Sequence, residues 1–253
     1  MAKKPAKSDR QAVIEEIRRK QKGAERRRGF AILGVCLTIA LVIVLAAAYR
    51  PVKSWWDLRK FEDVKLSEIG APASACQDIT TKKADGNQEH VDQGVPVDYA
   101  DAPPAFGAHW NVQGIAPAPM NRKFYTENDR PALEALVHNL EHGYTILWYD
   151  ETAADDGDTM SVIEGLSDKF RADPDNLRSK FIAAPWTSED ENGKDFPKGQ
   201  HIALSHWSVG GAGETDPEKQ LGAWQYCSEP SGEAVEDFML EYPYMDSPEP
   251  DAL

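Results

Sequence analysis

"VHNLEHGYTILWYD", Val137 to Asp150, is the stretch on which the fold turns. With the residues before it, "NDRPALEALVHNLEHG" offers Asn128 or Asp129 as an N-cap and Pro131 in the first turn. Leu133, Leu136, Val137 and Leu140 form an apolar stripe at helical spacing, and Gly143 supplies a stop. "YTILWYD" follows at once as a buried strand, so helix and strand alternate here without a linker. On that helix His138 and His142 stand one turn apart, with Glu141 on the same face. Three meanings are open: two ligands of a metal ion, an H-x-x-E-H hydrolase motif, or a helix end whose carbonyls favour a partly positive imidazole.

Working outward, "DTMSVIEGLSDKFRAD" (158–173) reads as a second amphipathic helix with Met160, Ile163, Leu166 and Phe170 on one face. "KFIAAPW" and "HIALSHWSV" read as strands separated by the turn-rich "TSEDENGKDFPKG". A further helix is expected near Ser231 to Tyr242, followed by a disordered acidic tail over 243–253. Upstream, Cys76 to Ala118 is rich in Gly, Pro, Asp and Asn, which predicts loop and short strands held by Tyr99, Phe106 and Trp110. The expectation is an α+β domain over 76–242: a small sheet of about three or four strands covered by helices, with a loop-rich N-terminal part.

The N-terminal part is of another kind. Residues 1–28 carry eleven Lys or Arg against four acids, a surplus of seven; with −14 overall, the remainder stands at −21. "FAILGVCLTIALVIVLAAAY", Phe30 to Tyr49, has no charge, and at ~1.5 Å per residue its length matches a ~30 Å hydrocarbon core. It is read as a single transmembrane helix (29–49), with the basic tail 1–28 cytoplasmic by the positive-inside rule, a stalk over 50–75 and an extracytoplasmic domain beyond. Trp55 and Trp56 fit an outer aromatic belt. A cleaved signal peptide is the rival, since Ala46 to Ala48 resemble a cleavage site, but the run is longer than the usual ~7–15 residue signal core. Ser8 or Asp9 begins a basic helix with Val13, Ile14 and Ile17 as a narrow stripe, either a solvated tail or one lying on the inner leaflet.

Of three cysteines, Cys36 lies in the span, while Cys76 and Cys227 fall outside, where a pair forms a disulfide more readily than a metal site. Two separate buried thiols are the alternative.

All six histidines lie beyond the span. Two imidazoles at i, i+4 can hold one ion, and the further ligands must come from elsewhere; His109 and His90, in the loop-rich segment, are the natural donors. Such a set suits zinc or copper, and Met120 could add a thioether to copper. A hydrolase would need another acidic ligand, for which Glu214 and Glu218 are the downstream candidates. No phosphate loop, dinucleotide fingerprint or nucleophile elbow is present, and a domain at −21 is a poor partner for nucleic acid.

Three pieces, "EHV" (89–91), "PPAFGAHW" (103–110) and "VHNLEHG" (137–143), resemble a family of bacterial membrane-anchored proteins, domain of unknown function 3105. Its pattern reads similarly to H-V, then P-P-T-S-G-P-H-Y, then V-H-N-L-E-H-G, over roughly 75–210. It falls on His90, Pro103, Pro104, Gly107, His109, His138, Asn139, Glu141, His142 and Gly143. Ala105-Phe106 replaces Thr-Ser, which counts against a hydroxyl nucleophile, and Trp110 replaces Tyr. The resemblance puts His90, His109, His138 and His142 in one pattern, which implies a metal site, with Glu141 either a further ligand or the residue that orients one of the histidines, and with His201 and His206 left as strand-surface or core histidines. No catalytic residue is implied. The expected partners are the lipid bilayer, through the span, and a membrane protein, as would suit an accessory subunit of an envelope complex.

Overall fold

The computed structural model describes residues 9–84, 88–111, 117–171, 175–190 and 194–251, and the chain divides into two units, Met1–Trp56 and Asp57–Leu253. Helix α1 (Asp9–Arg59) carries the apolar run, and within it Val13–Tyr49 is long and apolar enough to cross a bilayer. From Phe30 to Leu45 its large apolar side chains are exposed. Ser8 and the Trp55 side chain lie outside the described residues; Trp56 is exposed.

The second unit is a mixed α and β structure. Its main sheet has five strands, one more than the upper expectation: β1 (Thr80–Lys83), β4 (Thr145–Tyr149), β5 (Phe181–Pro185), β6 (Ile202–Ser208) and β7 (Leu221–Cys227), ordered β1-β7-β6-β4-β5. β4 and β5 run parallel and the other pairs antiparallel. The two parallel strands are joined through α3 (Glu151–Asp155) and α4 (Gly157–Lys169), the long crossover that parallel pairing requires. "LGAWQYC" escapes a sequence reading because Gly222, Gln225 and the half-buried Tyr226 blur its alternation. Gly222 has a packing reason: a Cβ there would stand 2.6 Å from the Phe106 ring.

Successive residues of β4 divide between two cores, as the period of two demands. Ile146 and Trp148 join Leu133, Leu136, Val137 and Leu140 of α2 (Leu133–Glu141). Leu147 and Tyr149 join Ile163 and Leu166 of α4 and Val235 and Phe238 of α5 (Gly232–Glu241). The apolar stripes expected on α2 and α4 are those found. The expected N-caps of α2 are not: its N-cap is Ala132, without a side-chain cap. Asp129 is committed upstream, accepting from the Thr126 amide (2.7 Å) and pairing with Arg122.

Two boundaries need correction. Residues 61–75, expected within a stalk, belong to the domain: Phe61, Val64 and Leu66 pack on the second core and Ile69 is buried. Gly165 leaves room for Phe61, whose ring would stand 2.3 Å from an added Cβ. The tail is not disordered over 243–251. Asp246, 3% exposed, accepts from Ser208 Oγ (2.7 Å) and from the amides of Val209 (3.1 Å) and Gly211 (2.8 Å), and Lys180 Nζ donates to the Pro250 carbonyl (2.7 Å). Composition alone misses this because one buried carboxylate with three donors outweighs an otherwise polar text.

Cys76 and Cys227 form a disulfide 151 residues apart in sequence. A small two-stranded ribbon, β2 (His90–Val91) parallel to β3 (His109–Trp110), completes the fold.

Asp246→Ala, leaving two buried donors and the part-buried Gly211 amide without their acceptor, should lower the unfolding free energy by about 2 kcal/mol. Denaturant titration of the full-length chain in detergent reads this, and an unchanged midpoint would show that docking of the tail contributes nothing.

Candidate metal centre

The ribbon register sets His90 beside His109, with ring centroids 4.6 Å apart. His138 and Glu141 come from the last turn of α2, one turn from the Gly143 stop. Gly143 has φ +85°, and a Cβ there would lie 2.3 Å from the Tyr244 carbonyl oxygen, so the position needs glycine both to end the helix and to admit the tail. Asn139, fully buried, clamps the connecting loop through both atoms of its amide: Oδ1 accepts from the Ala118 amide and Nδ2 donates to its carbonyl, each at 2.9 Å.

His90, His109, His138 and Glu141 each offer a ligand atom, all within 4.8 Å of one another. Ligands at ~2.0–2.1 Å from a tetrahedral zinc stand about 3.3 Å apart, a spacing that two of the separations bracket. His109 Nε2 lies 2.9 Å and His90 Nε2 3.5 Å from Glu141 Oε2. His142 falls instead in a second group, with Glu141 and Glu249. The five expected residues are thus brought together as two groups that share Glu141.

The tautomers are fixed by backbone carbonyls. Nδ1–H of His109 donates to the Gly107 carbonyl (2.8 Å) and Nδ1–H of His138 to the Trp110 carbonyl (2.6 Å), since a carbonyl only accepts. In the neutral rings both Nε2 atoms then present lone pairs. One faces the Glu141 carboxylate at 2.9 Å and the other faces His142 Nε2 at 3.1 Å. Lone pair against carboxylate is repulsive unless a proton or a metal cation lies between them.

Burial works on the same groups. His109 and Glu141 have no exposure, while the His90 side chain is 36% exposed and marks the side open to solvent. Burial lowers the pKa of His138, and with neighbouring His138 it brings His142 down to about 4 from its usual 6.5, so both rings are neutral at pH 7. Burial alone would raise Glu141, but a proton on His109 Nε2, at the place a metal cation would take, and the donor from Gln88 Nε2 (2.9 Å to Oε1) leave its pKa below the usual value. Gln88 is held in turn by Gln220 (3.0 Å) and Gln220 by Trp207 Nε1 (3.1 Å), a relay anchored in the core.

The helix-end meaning of the histidine pair fails on these contacts. Neither ring caps α2; the His142 carbonyl is taken by Lys180 Nζ at 2.7 Å. Met120 Sδ accepts from Lys123 Nζ and Tyr144 OH, both at 3.4 Å, and is a packing residue. Glu214 and Glu218 pair with Lys219 and Lys83 at the surface. The downstream acid near the site is Glu249, missed because it lay in a stretch expected to be disordered. Gln88, one residue before "EHV", carried no signal of its own. Phe106, where the family pattern has a hydroxyl, packs between Trp207 and Trp224. His201 pairs with Asp150 (2.8 Å) at the surface, and His206 is buried between the carbonyls of Tyr144 and Asp246.

Residues 90–253 match the sequence model of a family described as "Protein of unknown function (DUF3105)". No curated protein and no solved structure matches the chain.

His142 binds its proton less readily folded than unfolded, so its contribution to stability is present above pH 6.5 and lost as pH falls toward about 4. The melting temperature of the chelator-stripped chain should fall across that window. The fall should be shallower in His142→Gln, and equal slopes in the two proteins would remove His142 as its source.

Proposed function

We propose that this chain, which belongs to the DUF3105 family, is a membrane-anchored extracytoplasmic protein that binds a transition metal through His90, His109, His138 and Glu141. One observation carries the reading: the Nδ1 protons of His109 and His138 are spent on backbone carbonyls, which turns both Nε2 lone pairs toward a buried carboxylate and a further imidazole. Metal-ligating histidines characteristically donate their other ring N–H in this way, which fixes the tautomer and aims the ligand atom. A divalent cation would relieve the repulsion and supply the charge that a carboxylate with no exposure needs.

Three imidazoles and one carboxylate suit zinc first, with copper the alternative. The role is binding or handling of the ion, because Glu141, the base of an H-x-x-E-H hydrolase, has Oε1 engaged by Gln88 and Oε2 set with His109 Nε2 as a ligand of the ion. Export of the domain is supported by the basic residues before the apolar helix and by the Cys76–Cys227 disulfide.

The test is elemental mass spectrometry of the full-length chain, extracted in detergent and purified without a histidine tag or chelator. Stoichiometric zinc or copper is expected, with its affinity reduced at least about 100-fold in His138→Ala and in the more exposed His90→Ala, since even outer-sphere partners contribute roughly 10–100-fold. Metal content equal in the wild type and both variants would end the assignment.

A further inference from the structure

We propose that the centre has a second cation position, formed by Glu141, His142 and Glu249, so that one buried carboxylate serves two neighbouring ions; this rests on the metal-binding reading above. The three residues bring a ligand atom each to within 4.8 Å of the others, and His142 Nε2 lies 3.4 Å from Glu249 Oε2. That separation is close to the ~3.3 Å between ligands of one tetrahedral ion.

Glu249 is held at this spot by its backbone. Its amide donates to the Glu141 carbonyl at 2.9 Å. The next carbonyl, of Pro250, accepts from Lys180 Nζ at 2.7 Å, and the same ammonium donates to the His142 carbonyl at 2.7 Å. The end of the chain is thereby clamped to both neighbours with which Glu249 would share the ion, while the Asp246 anchor holds the segment three residues earlier.

His142 supplies the independent observation. The residue is 2% exposed, and its Nδ1 has no hydrogen-bond partner. Its Nε2 faces the His138 Nε2 lone pair at 3.1 Å and the Glu249 carboxylate at 3.4 Å. The ring is buried, and its Nε2 is the atom turned toward both the His138 imidazole and the Glu249 carboxylate, so it is placed to ligate.

The two positions differ in kind. The first is rich in imidazole and deep; the second has one imidazole and two carboxylates, a harder donor set suited to zinc or manganese and unsuited to copper(I). With the Glu249 side chain 50% exposed, water completes its coordination, and the second ion exchanges more readily than the first.

The full-length chain in detergent, without a histidine tag, is stripped with chelator and titrated with zinc chloride. Bound zinc per chain is counted by elemental mass spectrometry, and affinities are read by competition with a chromophoric chelator. The wild type should bind two zinc ions, the second at least about tenfold more weakly. Glu249→Gln, a change at a half-exposed side chain, should bind one with the tight affinity unchanged, and Asp246→Ala, which frees the segment, should also lose the weak ion. One zinc in both wild type and Glu249→Gln, or two in both, overturns the second position and leaves the first standing. No zinc in the wild type overturns both.

Discussion

Glu141 is a carboxylate with no exposure at the end of an apolar helix, and the arrangement of the domain around it answers that burial. A lone buried anion costs several kcal/mol, so it must be met by donors or by a cation. Gln88 and His109 come from the loop-rich segment to meet it, and the tail supplies the amide that takes its backbone carbonyl. Each contributor is fixed from behind: Gln88 through Gln220 and Trp207, His109 through Gly107, and the tail through Asp246 and Lys180. The described residues 88–111 of the irregular segment, which have little apolar periodicity of their own, are held by these polar commitments together with Tyr99 and Trp110, whose side chains donate to the carbonyls of Ala108 and Val95.

This explains which parts of the fold were legible in the sequence. The stripes of α2 and α4, the strands β4, β5 and β6, and the stop at Gly143 all follow from apolar periodicity and one glycine, and they stand where the sequence puts them. β7 was not legible, because its alternation is broken by a glycine serving an aromatic ring on another segment. The tail was illegible for a similar reason. Its composition is that of a solvated end, and only the three donors gathered on Asp246 reverse the balance.

At the site, the types of residue were legible and their grouping was not. The i, i+4 pair suggested that His138 and His142 act on one ion, yet the structure gives His142 different companions and brings Glu249 from more than a hundred residues away. Spacing along a helix states which side chains share a face. It does not state which loops will arrive over that face, and here β2, β3 and the tail all do. The resemblance to the family pattern marked Asn139 without a reason; the reason is the clamp on Ala118.

The disulfide and the edge strand have a consequence for the order in which the domain can form. Thr80–Lys83 pairs with Leu221–Trp224, and Cys76 bonds to Cys227, so one edge of the sheet is closed by contacts spanning about 150 residues. Closing such a loop is entropically costly, and folds dominated by distant pairings are slow to reach their native state. Once the covalent link exists, the same pairing becomes a local event near the cross-link, and the search that limits the rate has already been made. An oxidising surrounding would therefore act on this domain as a kinetic aid, setting how long its unpaired strands stay open to association with other chains.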